Sequence, residues 1–184
     1  MLRFFKYSFC CLLIFCQTAV FANESVYKIN PGDLLEISVW KEEELKREIR
    51  VLPDGHINFP LAGDIATTGL TLNQVKERLV VKLSEYISDP VVNISVKAAE
   101  GNVIYVIGQV KQAGHHVMYR PLDALQALSL AGGLTAFAKS NDIIIIRRDE
   151  KGSKTIKVEY GELEDGESLN KNQVLKSGDV IIVP

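Results

Sequence analysis

The histidines are the first candidates for metal binding in this sequence of 184 residues, and their spacing does not suit a metal site. Three histidines are present: His56 follows the pair Asp54-Gly55, and His115 and His116 are neighbours in an extended, strand-like segment. Neighbouring residues of a strand point to opposite faces, so His115 and His116 cannot readily chelate one ion. The histidine pattern therefore predicts no metal site.

Carboxylates are numerous but lie in polar runs, at residues 42–44 and 162–167. A solvated surface is the ordinary setting of such runs, whereas acid/base catalysis needs two carboxylates held together in a pocket. The sequence also contains no nucleophile elbow, phosphate-binding loop or nucleotide-binding glycine fingerprint. We therefore expect a protein that is not an enzyme and that uses no cofactor. A glycan-cleaving enzyme is an alternative for which no carboxylate pair can be nominated.

The first 22 residues have the three parts of a secretory signal peptide. Arg3 and Lys6 precede an apolar stretch at residues 8–15, and a small-residue pattern ends at Ala22. We predict cleavage between Ala22 and Asn23 and transport out of the cytoplasm.

Two alternatives to cleavage are weaker. A membrane anchor needs about 20 apolar residues, and this stretch is shorter. Lipidation at Cys16 needs a small preceding residue, whereas Phe15 stands there. All three cysteines lie in the predicted signal, so we expect a mature chain without disulfides. The net charge of −2 argues against nucleic acid as a partner, because phosphate binding rests on a basic surface.

The elements of the first half are predicted from periodicity and turn residues. Apolar and polar residues alternate at 35–39 and at 92–96, which predicts two half-buried strands. The charged run at 41–50 is interpreted as a solvated connection or short helical turn, with an interaction surface as the alternative. Asp54-Gly55 predicts a β-hairpin turn between residues 51–52 and 57–61. Thr71 and Gln74 predict a capping box. The apolar residues of the helix that follows fall on one face, which comprises Leu72, Val75, Leu79, Leu83 and Tyr86.

The second half is predicted to begin near residue 101 with a strand at 103–110, followed by an extended segment at 117–119. Pro121 is expected in the first turn of a helix that ends at Gly132-Gly133. The apolar run at 143–146 indicates a central strand covered on both faces. Residues 151–172 are expected to form hairpin and loop, and 180–183 a final strand. The resulting fold class is α+β.

Pro31-Gly32-Asp33 and Gly178-Asp179 each precede an apolar strand. The shared chemistry of a turn, in which the aspartate accepts from nearby backbone N–H groups, explains this echo better than catalysis does. We therefore assign structural rather than catalytic roles to the turn residues, which are Pro31, Gly32, Asp33, Asp54, Gly55, Gly108, Gly114, Gly132, Gly133, Gly178 and Asp179.

The order of these motifs resembles the periplasmic polysaccharide biosynthesis and export proteins of Gram-negative bacteria. Residues 27–39, 51–63 and 89–92, with the capped helix, resemble the polysaccharide export motif domain, a small mixed-sheet domain expected at 23–100. Residues 106–110, 113–114, 131–134 and 178–181 resemble one soluble-ligand-binding β-grasp (SLBB) domain, expected at 101–184.

The resemblance implies a multimeric ring or adaptor that guides capsule or exopolysaccharide through the periplasm and the outer membrane without transforming it. The implied partners are polysaccharide, further copies of the chain and an inner-membrane copolymerase. Large capsule exporters are lipid-anchored and close with an amphipathic pore helix. Since this sequence has a poor lipidation motif and ends at Pro184, a separate outer-membrane pore protein is also expected.

Two questions stay open in the sequence. The alternative function is a monomeric periplasmic carbohydrate-binding module, which the β-grasp resemblance alone would allow. Aromatic residues often line sugar sites, but Trp40, Tyr86 and Tyr105 are equally compatible with core or interface positions.

Overall fold

The computed structural model describes residues 26–149 and 152–184. The predicted signal at 1–22, its cleavage site at Ala22 and Asn23, and the cysteines lie outside the described residues. Ten strands and three short α-helices make up the described fold. The strands are β1 (Leu34–Val39), β2 (Glu42–Arg50), β3 (His56–Phe59), β4 (Gly63–Ala66), β5 (Val92–Ala98), β6 (Val103–Gly108), β7 (Gly114–Val117), β8 (Ile143–Asp149), β9 (Gly152–Val158) and β10 (Val180–Val183). The helices are α1 (Leu72–Leu83), α2 (Ala124–Leu130) and α3 (Tyr160–Glu164).

In the first half, β1 lies between β2 and β5 in an antiparallel three-stranded sheet. Leu35, Ile37 and Val39 of β1 are buried, whereas the residues between them are only half-buried. The alternation predicted at 35–39 and at 92–96 is thus confirmed. In β5 the polar side chains are exposed, which leaves one wet face as expected.

The interpretation of residues 41–50 as a connection or helical turn was wrong, because β2 occupies nearly all of that run. β2 is an edge strand that pairs only with β1. Its charged side chains are exposed, and only Leu45 is buried, with Ile49 half-buried beside the core. Charge on an edge strand discourages pairing with other chains, which explains a strand that lacks apolar alternation.

The predicted hairpin at Asp54-Gly55 was wrong in its partner strands. A tight turn does form there, since the Gly55 N–H donates to the Leu52 carbonyl at 2.9 Å. The strand that follows, β3, pairs with β4 through a second turn at residues 60–62. Leu61 has a φ of +65° in that turn, and no glycine or asparagine precedes it to signal the conformation.

Helix α1 begins as predicted, with both hydrogen bonds of the Thr71–Gln74 capping box present. Val75, Leu79 and Leu83 are buried against the sheet. Tyr86 was wrongly placed on this face: the helix ends at Leu83, and Tyr86 is 63% exposed.

The second half forms one five-stranded sheet in the order β7-β6-β10-β8-β9. β10 and β6 are parallel and all other pairs in this sheet are antiparallel. This sheet is therefore a mixed sheet. The run at 143–146 is central as predicted, between β10 and β9. Its two faces differ, however, since Ile143 and Ile145 are buried while Ile144 and Ile146 are half-buried.

Helix α2 starts later than predicted. Asp123 is the N-cap, and Asp123 with Gln126 forms a second complete capping box. Pro121 therefore precedes the helix instead of occupying its first turn. The helix begins after Asp123 because that side chain accepts from a free N–H group of the first turn. Gly132 and Gly133 follow the helix with φ of +78° and +82°, as a helix exit requires.

The remaining predictions of the second half differ in their boundaries. The strand predicted at 103–110 ends at Gly108, and the extended segment predicted at 117–119 overlaps β7 (Gly114–Val117) only at Val117. In residues 151–172 the hairpin is confirmed as β8–β9, and the expected loop contains α3. The final strand, β10, is confirmed.

Two hydrophobic clusters fill the protein and share no residue. One contains buried residues between Ile29 and Val92, and the other contains buried residues between Ile104 and Val183. Each half therefore has its own core, and the α+β class is confirmed. Within the described ranges, no helix is both long enough and apolar enough to span a membrane.

Candidate functional site

The turn before β1 is held by a fully buried aspartate. The Asn30 N–H donates to Oδ2 of Asp33 at 2.8 Å, and the Tyr27 hydroxyl donates to the same oxygen at 2.5 Å. Gly32, with a φ of +95°, lets the chain reverse between them. Burial and the bond to Asp33 both raise the pKa of the Tyr27 hydroxyl. Asp33 is thus used as an acceptor for structure and is shielded from solvent.

The turn before β10 repeats this arrangement. The Lys176 N–H donates to Oδ2 of Asp179 at 2.8 Å, and Gly178 has a φ of +85°. Arg147 of β8 adds a two-pronged ion pair, with Nε and Nη2 at 2.9 and 2.7 Å from the two carboxylate oxygens. These bonds raise the pKa of Arg147. The sequence did not indicate Arg147, because its partner lies 32 residues away.

Both turns contact the segment that joins the two halves. The Gly101 N–H donates to Oδ1 of Asp33, and the Ser177 hydroxyl donates to the Gly101 carbonyl, each at 2.9 Å. A Cβ atom on Gly101 would lie 2.2 Å from the Pro31 carbonyl oxygen, so only glycine fits this approach. Gly101 is therefore held in place by residues of both halves, namely Pro31 and Asp33 of the first and Ser177 of the second.

Beside this junction lies a cleft of about 870 Å³, lined by residues of both halves. Its first wall comes from residues 26–30 and 68–69, and its second wall from residues 118–121 and 174–177. Met118 is buried at its base, where the Asn102 side chain donates to the Met118 carbonyl at 2.6 Å. The volume lies in the usual range of ligand pockets, about 300–1,000 Å³.

Other turn residues predicted from the sequence lie away from this cleft. Gly55 has a φ of +85°, and its carbonyl accepts from the buried Thr67 side chain at 3.0 Å. Gly108 has a φ of +97°, and a Cβ there would lie 2.0 Å from the Val183 carbonyl oxygen. The three remaining glycines, none of which lines the cleft, are Gly114, Gly132 and Gly133.

The histidines are not brought together with metal-ligating groups. His56 begins β3 next to Asp54, whose carboxylate accepts from the His56 N–H at 3.0 Å. His115 and His116 are neighbours in β7. Among the residues that the structure describes, no group of three His, Cys, Asp or Glu side chains could hold a metal ion.

The aromatic candidates prove to be surface residues outside the cleft. Trp40, Tyr86 and Tyr105 are 71%, 63% and 45% exposed. The cleft has two other tyrosines, Tyr27 and the 84% exposed Tyr119. Sequence reasoning missed both, and the basic residue that follows each is no signal, because Trp40-Lys41 is the same kind of pair and lies outside the cleft.

Comparison with known families adds the identity of the chain. A model of the polysaccharide biosynthesis/export protein family matches residues 22–97, and a model of the SLBB domain matches residues 102–183. Residues 22–97 belong to the polysaccharide biosynthesis/export family, and residues 102–183 to the SLBB domain family. The resemblance inferred from the motif order is thereby confirmed.

Curated relatives are named for polysaccharide export. The EPS I polysaccharide export outer membrane protein EpsA of Ralstonia solanacearum is 29% identical over 71% of this chain and 41% of its own length. The polysialic acid transport protein KpsD of Escherichia coli is 28% identical over 85% of this chain and 28% of its own. The exopolysaccharide production protein ExoF of Rhizobium meliloti is 28% identical over 63% and 30%.

The chain therefore spans less than half the length of these curated relatives. The two matched sections of this chain form the walls of the cleft.

Proposed function

We propose that this protein is a non-enzymatic component of a capsule or exopolysaccharide export machinery, forming a periplasmic ring or adaptor through which the polymer passes to and across the outer membrane. The observation that carries the proposal is the tandem match of the export and SLBB models, in that order, along residues 22–97 and 102–183. The relatives' names, which include export of exopolysaccharide and transport of polysialic acid, support the same role.

The two sections act in this proposal as domains with limits at 23–100 and 101–184. Their separate cores support the division. The fastening of Gly101 by Asp33 and Ser177 supports a fixed relation between them, because both turns would have to open before the domains could turn. A stiff two-domain subunit suits a ring, in which each copy must present the same surfaces to its neighbours.

The compartment in this proposal is the periplasm, reached through a signal peptide cleaved between Ala22 and Asn23. Association with the outer membrane is supported by the printed name of EpsA. The partners proposed are polysaccharide, further copies of this chain and an inner-membrane copolymerase. No catalytic step is assigned to the protein.

Deletion of the gene in its native host tests the export role. We expect surface polysaccharide to disappear while lipid-linked repeat units continue to be made, because the block follows synthesis. Restoration by a plasmid copy of the gene is the control. Unchanged surface polysaccharide in the deletion strain would overturn the proposal.

The assembly state separates a ring or adaptor from a monomeric carbohydrate-binding module. Cross-linking in intact cells, followed by native mass spectrometry of the purified protein, should yield a ladder that ends at one closed oligomer. A protein that stays monomeric in cells as well as after purification, and binds oligosaccharide with a single saturable affinity, would favour the binding module.

A further inference from the structure

The charges around the junction cleft all have one sign. Lys28, Arg120 and Lys176 line it, and its lining contains no aspartate or glutamate. The whole chain has 21 basic and 23 acidic residues, so the cleft reverses the overall balance. Within the described ranges, no carboxylate lies within ion-pair distance of these three side chains, whereas Arg50, Arg147 and Lys171 each have such a partner.

Two buried carboxylates bonded to lining residues, those of Asp33 and Asp179, do not offset these charges at the surface of the cleft. Asp179 is paired with Arg147. Asp33 is fully buried and accepts from Tyr27, Asn30 and Gly101. Its two oxygens are thus already used within the turn. The three cations face the cleft from both domains, Lys28 from one and Arg120 and Lys176 from the other.

Two tyrosines accompany the cations. Tyr27 and Tyr119 line the cleft, one in each wall, and each is followed in the sequence by one of the cations, Lys28 or Arg120. Tyr119 is 84% exposed, so its ring is accessible to a ligand. An aromatic face can stack on the apolar C–H face of a sugar ring, and a neighbouring cation can pair with a carboxylate on that sugar.

We infer that the junction cleft binds a short segment of an acidic polysaccharide, one whose sugars carry carboxylates. This inference rests on the proposed export function, which supplies the glycan, and adds its chemical class and the surface that holds it. The volume of about 870 Å³ accommodates a segment of an oligosaccharide. Contacts of this kind are exposed and electrostatic, which gives weak, reversible binding suited to a polymer that must keep moving.

Binding is tested on the full mature protein with three acidic probes, namely oligosaccharides of hyaluronan, of alginate and of α2,8-linked sialic acid. Maltooctaose is the neutral control, and a poly-glutamate peptide is the control for a polyanion that lacks sugar. We expect at least one acidic glycan to bind in calorimetry, with an affinity that falls as sodium chloride is raised. Absence of binding to all three acidic glycans, or equal binding of poly-glutamate or maltooctaose, would overturn the inference.

Charge substitutions locate the site. A triple variant carrying Lys28→Gln, Arg120→Gln and Lys176→Gln should bind about tenfold more weakly, because each exposed ion pair contributes a factor of about two to five. The matched control carries Lys76→Gln, Lys111→Gln and Lys154→Gln, three exposed lysines outside the cleft, and should bind like wild type. Equal weakening by both triple variants would show a non-specific charge effect and would overturn the inference.

The aromatic part of the site has its own pair of variants. Tyr119→Ala should weaken binding by about three- to tenfold, and Tyr119→Phe should retain it, because stacking needs the ring and not the hydroxyl. If Tyr119→Ala binds like wild type, the ring has no part in the site.

Expression of the variants in the deletion strain separates the two proposals. If wild type restores export and the cleft triple variant does not at equal protein level, both stand. If the deletion leaves export unchanged, the export function fails while glycan binding is judged by calorimetry alone. If wild type and the triple variant restore export equally and bind glycan equally, only the cleft inference fails.

Discussion

Gly101→Ala is the substitution that most directly tests how the two domains are joined. The new Cβ would lie 2.2 Å from the carbonyl oxygen of Pro31 and 2.9 Å from its carbonyl carbon. Ordinary carbon contacts are about 3.5–4.0 Å, so the joining segment must move by about 1 Å or more. Both clashing atoms belong to the backbone, which leaves no side chain that could rotate away.

The movement has a cost that can be estimated from the bonds it breaks. The Gly101 N–H bond to Asp33 satisfies a fully buried carboxylate, and losing such a charged bond costs about 1.5–3 kcal/mol. The Ser177 bond to the Gly101 carbonyl is exposed and contributes about 0.5–1.5 kcal/mol. Alanine offsets about 0.4–1 kcal/mol by restricting the unfolded chain. These bonds and the offset together lower the free energy of unfolding by about 1–4 kcal/mol, and the strain of the backbone clash adds to that loss.

Urea denaturation followed by far-ultraviolet circular dichroism is the suitable assay, since the single tryptophan, Trp40, is exposed and reports poorly on unfolding. The matched control is Gly63→Ala, where a Cβ meets nothing within 4 Å and the only cost is a φ of +66°, about 1–2 kcal/mol. Hydrogen exchange should rise at residues 30–33 and 99–102 in Gly101→Ala alone. A loss no larger than that of Gly63→Ala would refute a tight junction.

Three further predictions concern single contacts. Arg147→Met should lower the free energy of unfolding by about 3–5 kcal/mol in urea titrations, because it leaves the buried carboxylate of Asp179 without its ion pair. Asp123→Ala should cost about 1 kcal/mol in the same assay through loss of the α2 cap. For Tyr27, burial and Asp33 raise the pKa of the hydroxyl, so the folded state favours the protonated form. The stability that the protonated Tyr27 hydroxyl contributes is complete below the ordinary pKa of 10.0 and is lost as the pH rises beyond it. The stability difference between wild type and Tyr27→Phe, measured in urea from pH 7 to 11, should therefore narrow at the alkaline end.

Each of these predictions has a control. Lys154→Met, an exposed change on β9, should change the free energy of unfolding by no more than about 0.5 kcal/mol. If Arg147→Met costs no more than Lys154→Met, the importance of the buried ion pair is contradicted. Asp123→Asn keeps an accepting oxygen and should retain most of the cap; if it behaves like Asp123→Ala, capping is not the cause. If the stability difference between wild type and Tyr27→Phe stays constant over the pH range, the role assigned to Tyr27 is contradicted.

The elements predicted correctly are those whose signals are local. Thr71 and Gln74 lie within one turn of α1, and the alternation in β1 and β5 directly reports one buried face. Strand β2 escaped prediction because its charges follow from its place at the edge of the sheet, which is a property of the tertiary fold. The start of α2 was predicted too early, at Pro121, because proline suits a first helical turn, whereas Asp123 is the N-cap.

The cleft could not be predicted from the periodicity of the sequence. Lys28, Arg120 and Lys176 are separated by more than 50 residues each and meet only when the two domains are joined. The tyrosines that precede Lys28 and Arg120 gave no signal either, since Trp40-Lys41 is a similar aromatic-basic pair outside the cleft. The turn aspartates were assigned to structure from the sequence, and their bonds to Asn30 and Lys176 agree with that role.

The position of β10 has a consequence for how the chain acquires its fold. Val180 pairs with Tyr105, about 75 residues earlier, and β10 separates β6 from β8 in the finished sheet. Until β10 arrives, β6 and β8 each lack a neighbour and leave apolar surface uncovered. Closing so long a loop is slow, so a chain emerging residue by residue must keep an incomplete sheet from aggregating. The second half is therefore the one that we expect to depend on a chaperone during biogenesis.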